Sequence, residues 1–546
     1  MLSRPGKLIA SLAVAGGMLA GSCATQAADE AAPTAVAGQE TVVAAVRRLT
    51  ETQYRHAIAD TFGDDVDVKA RFEPDPRLDG LLAIGANEAS ISASGFQQYF
   101  AAASSIAEQV LNEEARAAQL QCAPVDAALA DDACAASFLG DAGRQLYRRP
   151  LAEEELASKV AIAREGAADT GDFYEGLKLG LVSLLVSPEF LFRVERGTST
   201  EDGVSLDAYS RAARISFLMW DAPPDEQLME AAETGELMTQ AGLSAQVERL
   251  ASSPRVQDGV RAFFADLMQL DLFETLNKDA AQYPIFSQAV ASSAREQTLK
   301  VLVDHLAVKR GDYRDIFTTR DTFINRPLGA VYRVPFASNE EWVPYTFDED
   351  TGHSGVLTQI SFMSLFSHPG RSSPTKRGAA LREIFLCQTV PQPPADVDLS
   401  ALNDDKSHAT TVRERLELHR TEQLCATCHA LTDPQGLAFE QFDGIGQRRY
   451  EENGMLIDVN VNFGGKDVSG ARGIGEALRE DPLAPACLVN RVWAYGHGRP
   501  SSLVTEREIL AGHTEGFAET GYQVPELMAA MAMSEDFYKV PVEEQD

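Results

Sequence analysis

Cys425-Ala426-Thr427-Cys428-His429 is the stretch of this 546-residue chain whose residue types and spacing could do the most chemistry. In a Cys-X-X-Cys-His pattern the two thiols can form thioether bonds to the vinyl groups of a haem, and the adjacent imidazole becomes the proximal iron ligand. Chance would place the pattern on the order of 0.0015 times in a chain with seven Cys and nine His, so accident is a poor explanation. Two other uses of paired thiols compete. A thioredoxin-like redox pair wants a βαβ context and has no need of the histidine, and a zinc site wants a second Cys or His pair at ligand spacing. Neither context is visible, so the expectation is one covalent haem c per chain, with Cys425 and Cys428 as tethers and His429 as iron ligand.

The other face of the iron would decide what such a haem does. A Met or His ligand gives a closed electron carrier, whereas an open distal face permits peroxide or oxygen chemistry. Met455, His497, His368 and Met363 are the candidate sixth ligands, Met455 being close enough in sequence to be sterically awkward. Arg371, Arg377 and Arg449 are candidates for pairing with haem propionates, because a guanidinium fork matches a carboxylate in geometry and charge. Asp433-Pro434 is expected to end the attachment helix, with Gly436 allowing a tight path beneath the haem edge. Glu440 and Asp443 read as residues that hold that loop, and Trp220 reads as core.

Thioether attachment takes place outside the bacterial cytoplasm, and the N-terminus has the form of an export signal. Arg4 and Lys7 precede a short apolar run, Leu8 to Ala20, followed by small residues. Leu19-Ala20-Gly21-Ser22-Cys23 is similar to a lipobox, which would make Cys23 the lipidated first residue; cleavage after Thr25-Gln26-Ala27 is the alternative. Removing residues 1–22 takes away Arg4 and Lys7 and no acid, moving the formal charge from −33 to −35. Such a surface disfavours nucleic acid and anionic membrane faces, so membrane association is expected through the lipid anchor alone; it suits a salty environment or a basic partner, and solubility alone accounts for it equally well. Setting aside Cys23, Cys425 and Cys428 leaves Cys122, Cys134, Cys387 and Cys487, an even set in an oxidising compartment. The expected bridges are Cys122 to Cys134 and Cys387 to Cys487, worth ~3 and ~5 kcal/mol in a loop-entropy model.

These side chains need a scaffold, and apolar periodicity makes it helical. The signal at 1–22 and an Ala-, Thr- and Val-rich linker at 23–45 precede a first helical domain, 46–196. There Thr50-Glu51-Thr52-Gln53 reads as a capping box, with helices near 93–118, 128–147, 151–166 and 172–186. A second helical domain, 204–310, opens on Ser205 as a cap. Residues 311–400, rich in Gly, Pro and aromatics, form an irregular connector. The module at 401–546 carries the haem motif on a helix near 411–428, with further helices near 472–479, 482–498, 504–515 and 524–533.

Asp433-Pro434-Gln435-Gly436-Leu437-Ala438-Phe439-Glu440-Gln441-Phe442-Asp443-Gly444-Ile445-Gly446 resembles the signature of the planctomycete-type cytochrome proteins of unknown function. Arg48 to Tyr54, Tyr147 to Leu151, Ser187 to Arg193, Phe217 to Asp221, Ser373 to Gly378 and Gly498 to Pro500 match as well, so the resemblance covers nearly the whole of the expected mature chain. Ala152, in place of a capping Thr, and His497, in place of an apolar residue, depart from the pattern. The resemblance implies a fold that is mainly α, with multi-helical N-terminal domains followed by a cytochrome c-like haem module with irregular connections. Motif and resemblance together lead to the expectation of an exported mono-haem c-type cytochrome, transferring electrons to a redox partner protein in the periplasm or at the outer membrane. A haem enzyme of peroxidase or oxygenase type, acting on an extracellular substrate, and a scaffold or glycan-binding protein with a structural haem are the alternatives.

Overall fold

Thr50 opens the first long helix by reciprocal capping. Its hydroxyl accepts from the Gln53 backbone N–H at 3.2 Å, the Gln53 side chain accepts from the Thr50 N–H at 3.4 Å, and the Glu51–Phe62 helix follows. The computed structural model describes residues 41–201, 203–336, 341–391, 410–419, 423–502 and 504–541, with backbone only at 418, 419 and 423–425. Twenty-two α-helices and ten short strands occur among these residues, so the chain is mainly α. Cys23 and the expected export signal lie outside the described residues.

Most long helices lie near their expected positions: Ala93–Leu111, Asp132–Tyr147, Glu153–Thr170, Phe173–Leu185 and Leu483–His497 among them. Three local readings are corrected. Ser205 does not cap a helix; it sits in the Gly203–Leu206 strand, and Asp207 caps Ala208–Trp220 by accepting from Ser210 N–H at 2.7 Å. The end of the expected linker is a strand, Thr41–Arg48, because its β-branched run finds a partner in Phe192–Thr200. The single helix near 411–428 is two, Val412–His419 and Gln423–Leu437.

The largest sheet ties the two ends of the described chain together. Its strand order is Thr41–Arg48, Phe192–Thr200, Gly203–Leu206, Lys539–Val540, all antiparallel. Two hydrophobic cores flank it. One, with Tyr54, Ile106, Leu139, Leu181 and Phe190, belongs to the N-terminal helices and closes on Phe217. The other gathers Trp220, Phe317, Phe385, Phe439, Trp493 and Phe537, so segments from 204–310, 311–400 and 401–546 bury apolar area together. Disulfides join Cys122 to Cys134 and Cys387 to Cys487, the second linking the end of the Pro374–Phe385 helix to Leu483–His497. No helix among the described residues is long and apolar enough to cross a membrane.

Candidate functional site

Two helices position the haem-like motif. Gln423–Leu437 carries Cys425, Cys428 and His429, and the i, i+1 pair Cys428-His429 follows Cys425 by one helical turn. Pro374–Phe385 crosses it closely enough to require glycine twice. A Cβ on Gly378 would stand 1.8 Å from Thr432 O, and one on Gly436 would stand 1.8 Å from Pro374 O. Gly436 is thus a helix-crossing residue and not the start of a loop beneath a haem edge. Pro434 does not end the helix either. It forfeits only the bond to Ala430 O, and Ala430 is exposed, leaving that carbonyl to solvent.

Spacing on one helix puts a histidine and an acid in register, and the close crossing brings Thr375 to the acid. Asp433, fully buried, lies 2.8 Å from His429 Nδ1 through Oδ2, and its Oδ1 accepts from Thr375 Oγ1 at 2.8 Å and from Thr432 Oγ1 at 3.3 Å. A carboxylate only accepts, so the proton between them sits on His429 Nδ1, which makes Nε2 the ring nitrogen that carries the lone pair. Cys428 has a free thiol, half-buried, 3.5 Å from Pro391 O. Sequence reasoning missed Thr375 and gave Asp433 the wrong role. The signal for Asp433 was its spacing, four residues after His429 on the same helix.

Four family models match the chain in order: PSD3 (protein of unknown function, DUF1587) at residues 47–112, PSD5 (DUF1595) at 134–195, PSD4 (DUF1592) at 206–334 and PSCyt3 (DUF1588) at 353–452. All four matching models are planctomycete-type domains of unknown function, and these segments are similar to them. No curated protein and no solved structure matches it.

The PSCyt3 segment holds the motif, the helix that crosses it and the loop after it. Arg377 and Arg449, expected to face propionates, are committed to that loop instead. Arg377 is fully enclosed and donates to the carbonyls of Phe439 (3.1 Å), Phe442 (2.8 Å), Met363 (3.2 Å) and Asp443, and to Ser367 Oγ at 3.1 Å. Burial lowers its pKa to about 10. Arg449 donates to Glu440 Oε2 at 2.6 Å, to Glu440 O at 2.9 Å and to Ser372 Oγ at 3.0 Å. Glu440 is the buried counter-charge of both, and Asp443 Oδ1 closes the turn by accepting from Ile445 and Gln447 N–H. Their reading as loop-holding residues stands.

The PSCyt3 segment and its surroundings separate the candidate sixth ligands. His497 is corrected to a core residue. Its ring lies 4.3 Å from that of Trp493 and 4.9 Å from that of Phe537, about 15 Å along its helix from Cys487. Burial, with Arg214 and Arg499 nearby, holds its pKa well below the usual range. Met363 is fully buried in the second core. Met455 lies half exposed on a short hairpin, paired with Glu452. His368 sits beside Lys278, Arg371 and Lys376 near the start of the Pro374–Phe385 helix, where burial and those cations lower its pKa to about 4. Lys278 Nζ donates to Ser364 O and His368 O, and burial beside Arg377 and Lys376 brings its pKa to about 7. Among the described residues no group of three or more His, Cys, Asp or Glu could hold a metal ion.

Proposed function

We propose that the chain is an exported mono-haem c-type cytochrome that exchanges electrons with a partner protein. The observation that carries this reading is the His429–Asp433–Thr375 chain of hydrogen bonds behind a Cys-X-X-Cys pair. A metal-binding histidine characteristically donates its second N–H to a carboxylate, which fixes the tautomer and raises ligand basicity. The donor set fits the group: a free thiol at Cys428, a second Cys one turn earlier, and an imidazole oriented from behind by a buried acid. Cys425 and Cys428 would tether the haem and His429 Nε2 would ligate its iron; the bound haem would supply one-electron redox chemistry. The cytochrome-like name of the matching PSCyt3 model supports the same class. The two disulfides support an oxidising compartment, and the N-terminal pattern around Cys23 supports export with a lipid anchor to the periplasm or outer membrane.

Protein matured in a host with haem-attachment machinery will give a haemochrome spectrum of a c-type haem and an intact mass raised by one haem. Absence of covalent haem from such a preparation sinks the reading. Asp433→Asn, which keeps the shape but removes the negative charge behind His429, raises the reduction potential in a redox titration. An unchanged potential would show that Asp433 does not act through the iron ligand.

A further inference from the structure

Arg193 is the one cleft-lining arginine whose side chain makes no hydrogen bond among the described residues. It lies 8% exposed on the Phe192–Thr200 strand, with its Nε enclosed and without an acceptor and its guanidinium 4.3 Å above the Phe217 ring. The nearest carboxylate oxygen, Glu195 Oε1, is 3.8 Å away, and Glu195 is already claimed. Arg47 meets it at 2.5 Å, and Arg214 donates to both of its oxygens. Three guanidinium groups thus surround one buried carboxylate, leaving an excess of positive charge largely withdrawn from water in a chain of net charge −33.

The neighbouring arginines show that acceptors are within reach of other positions. Arg148 donates to the carbonyls of Leu146, Glu189 and Phe192. Arg149 pairs with Glu155 and Glu189, and Arg196 with Glu189. Arg148, Arg149, Arg193 and Arg196 line one cleft with Tyr147 and the first turn of Ala208–Trp220, where Asp207 is occupied as the helix cap. Its water-accessible volume is about 20 Å³, room for one small group and not for a whole ligand. Two stretches that carry the family resemblance, Tyr147 to Leu151 and Ser187 to Arg193, converge here at the junction of the PSD5 and PSD4 matches.

We propose that this cleft binds a small oxyanion, the carboxylate or the sulfate or phosphate group of a ligand, with the Arg193 guanidinium as its principal donor. A buried cation without an acceptor is costly, and an oxyanion offers the paired acceptors that a guanidinium fork matches. Burial and the adjacent Arg47 and Arg214 lower the pKa of Arg193 well below its usual value, which marks the positive field an anion would relieve.

Thermal unfolding of the full chain in sodium acetate, sodium sulfate and sodium phosphate, each against sodium chloride at equal ionic strength, tests this. At least one of the three raises the wild-type midpoint with saturation, as a ligand specific for the folded state does. Response to acetate alone identifies a carboxylate site, and response to sulfate or phosphate a tetrahedral one. Sulfate and phosphate also stabilise proteins generally by exclusion, an effect that Arg193→Met shares, so the reading is the saturable part that the variant loses. Arg193→Lys, which keeps the charge without the fork, weakens the apparent affinity about tenfold and serves if the Met variant fails to fold. Equal responses in wild type and both variants, or no saturable response in the wild type, overturn the proposal.

Discussion

Arg377 and Arg193 are both withdrawn from water, yet they meet opposite environments. Arg377, wholly enclosed, spends its terminal guanidinium donors on four backbone carbonyls and a hydroxyl, whereas Arg193, 8% exposed, rests on an aromatic ring with no acceptor in hydrogen-bond range. The first pattern is that of a structural keystone: the guanidinium gathers the loop after the haem-like motif against the helix that holds Asp433. The second leaves desolvation unrelieved inside the protein and points to a partner outside it. Burial alone does not tell the two apart; the accounting of acceptors does.

The largest effect expected from breaking this comparison is at Arg377. Arg377→Met strands the carbonyls of Phe439, Phe442 and Asp443 and leaves Glu440 with Arg449 as its remaining cation. It should destabilise the fold by ~3–5 kcal/mol in a denaturant titration. A loss under about 1 kcal/mol would mean that the loop is held by its own turns and that Arg377 is no keystone. Next comes Gly378→Ala, which adds a methyl where Thr432 O already stands and forces the two helices apart. A cost of ~1–3 kcal/mol is expected, more than the helix-propensity gain of about 1 kcal/mol returns. A neutral or stabilising outcome would show that the crossing has room to relax.

The sequence made the helices legible because apolar spacing and caps are local: Thr50 and Gln53 announce a helix start that the structure contains. The cysteines were legible by parity once the haem-like pair and Cys23 were set aside. The four-stranded sheet was not, since its strands pair residues as distant as Ser205 and Lys539 and the last strand is two residues long. The role of Arg377 was not legible either. A long side chain ahead of the motif looks equally suited to a propionate or to a carbonyl, and only the position of the 438–449 loop decides. Asp433 lay in plain view at i+4 from His429, but the proline beside it suggested a helix end that an exposed carbonyl made unnecessary.

Asp221 supplies the contrasting case of a buried charge that has an escape. It ends the Ala208–Trp220 helix in the left-handed conformation, φ 52°, where its Oδ1 accepts from Gln53 Nε2 at 2.8 Å and its Oδ2 has no hydrogen bond. Burial raises its pKa to about 7 against the bond from Gln53 and the nearby His56 and Arg193, while Asp258 adds to the rise. A carboxyl whose folded pKa lies above its unfolded value binds its proton more tightly in the folded state. Its contribution to stability is therefore greatest at low pH and fades as pH climbs from about 4 to about 7. Asp221→Asn keeps an oxygen for Gln53, tolerates the left-handed backbone and does not titrate. Relative to the wild type, the variant should gain ~2–3 kcal/mol between pH 5 and pH 8, read from denaturant midpoints across that range. A constant difference between the two proteins would place the charge of Asp221 in a solvated or fully paired setting. Arg193, whose charge persists, has no comparable route, which is why an anion and not a change of pH is expected to satisfy it.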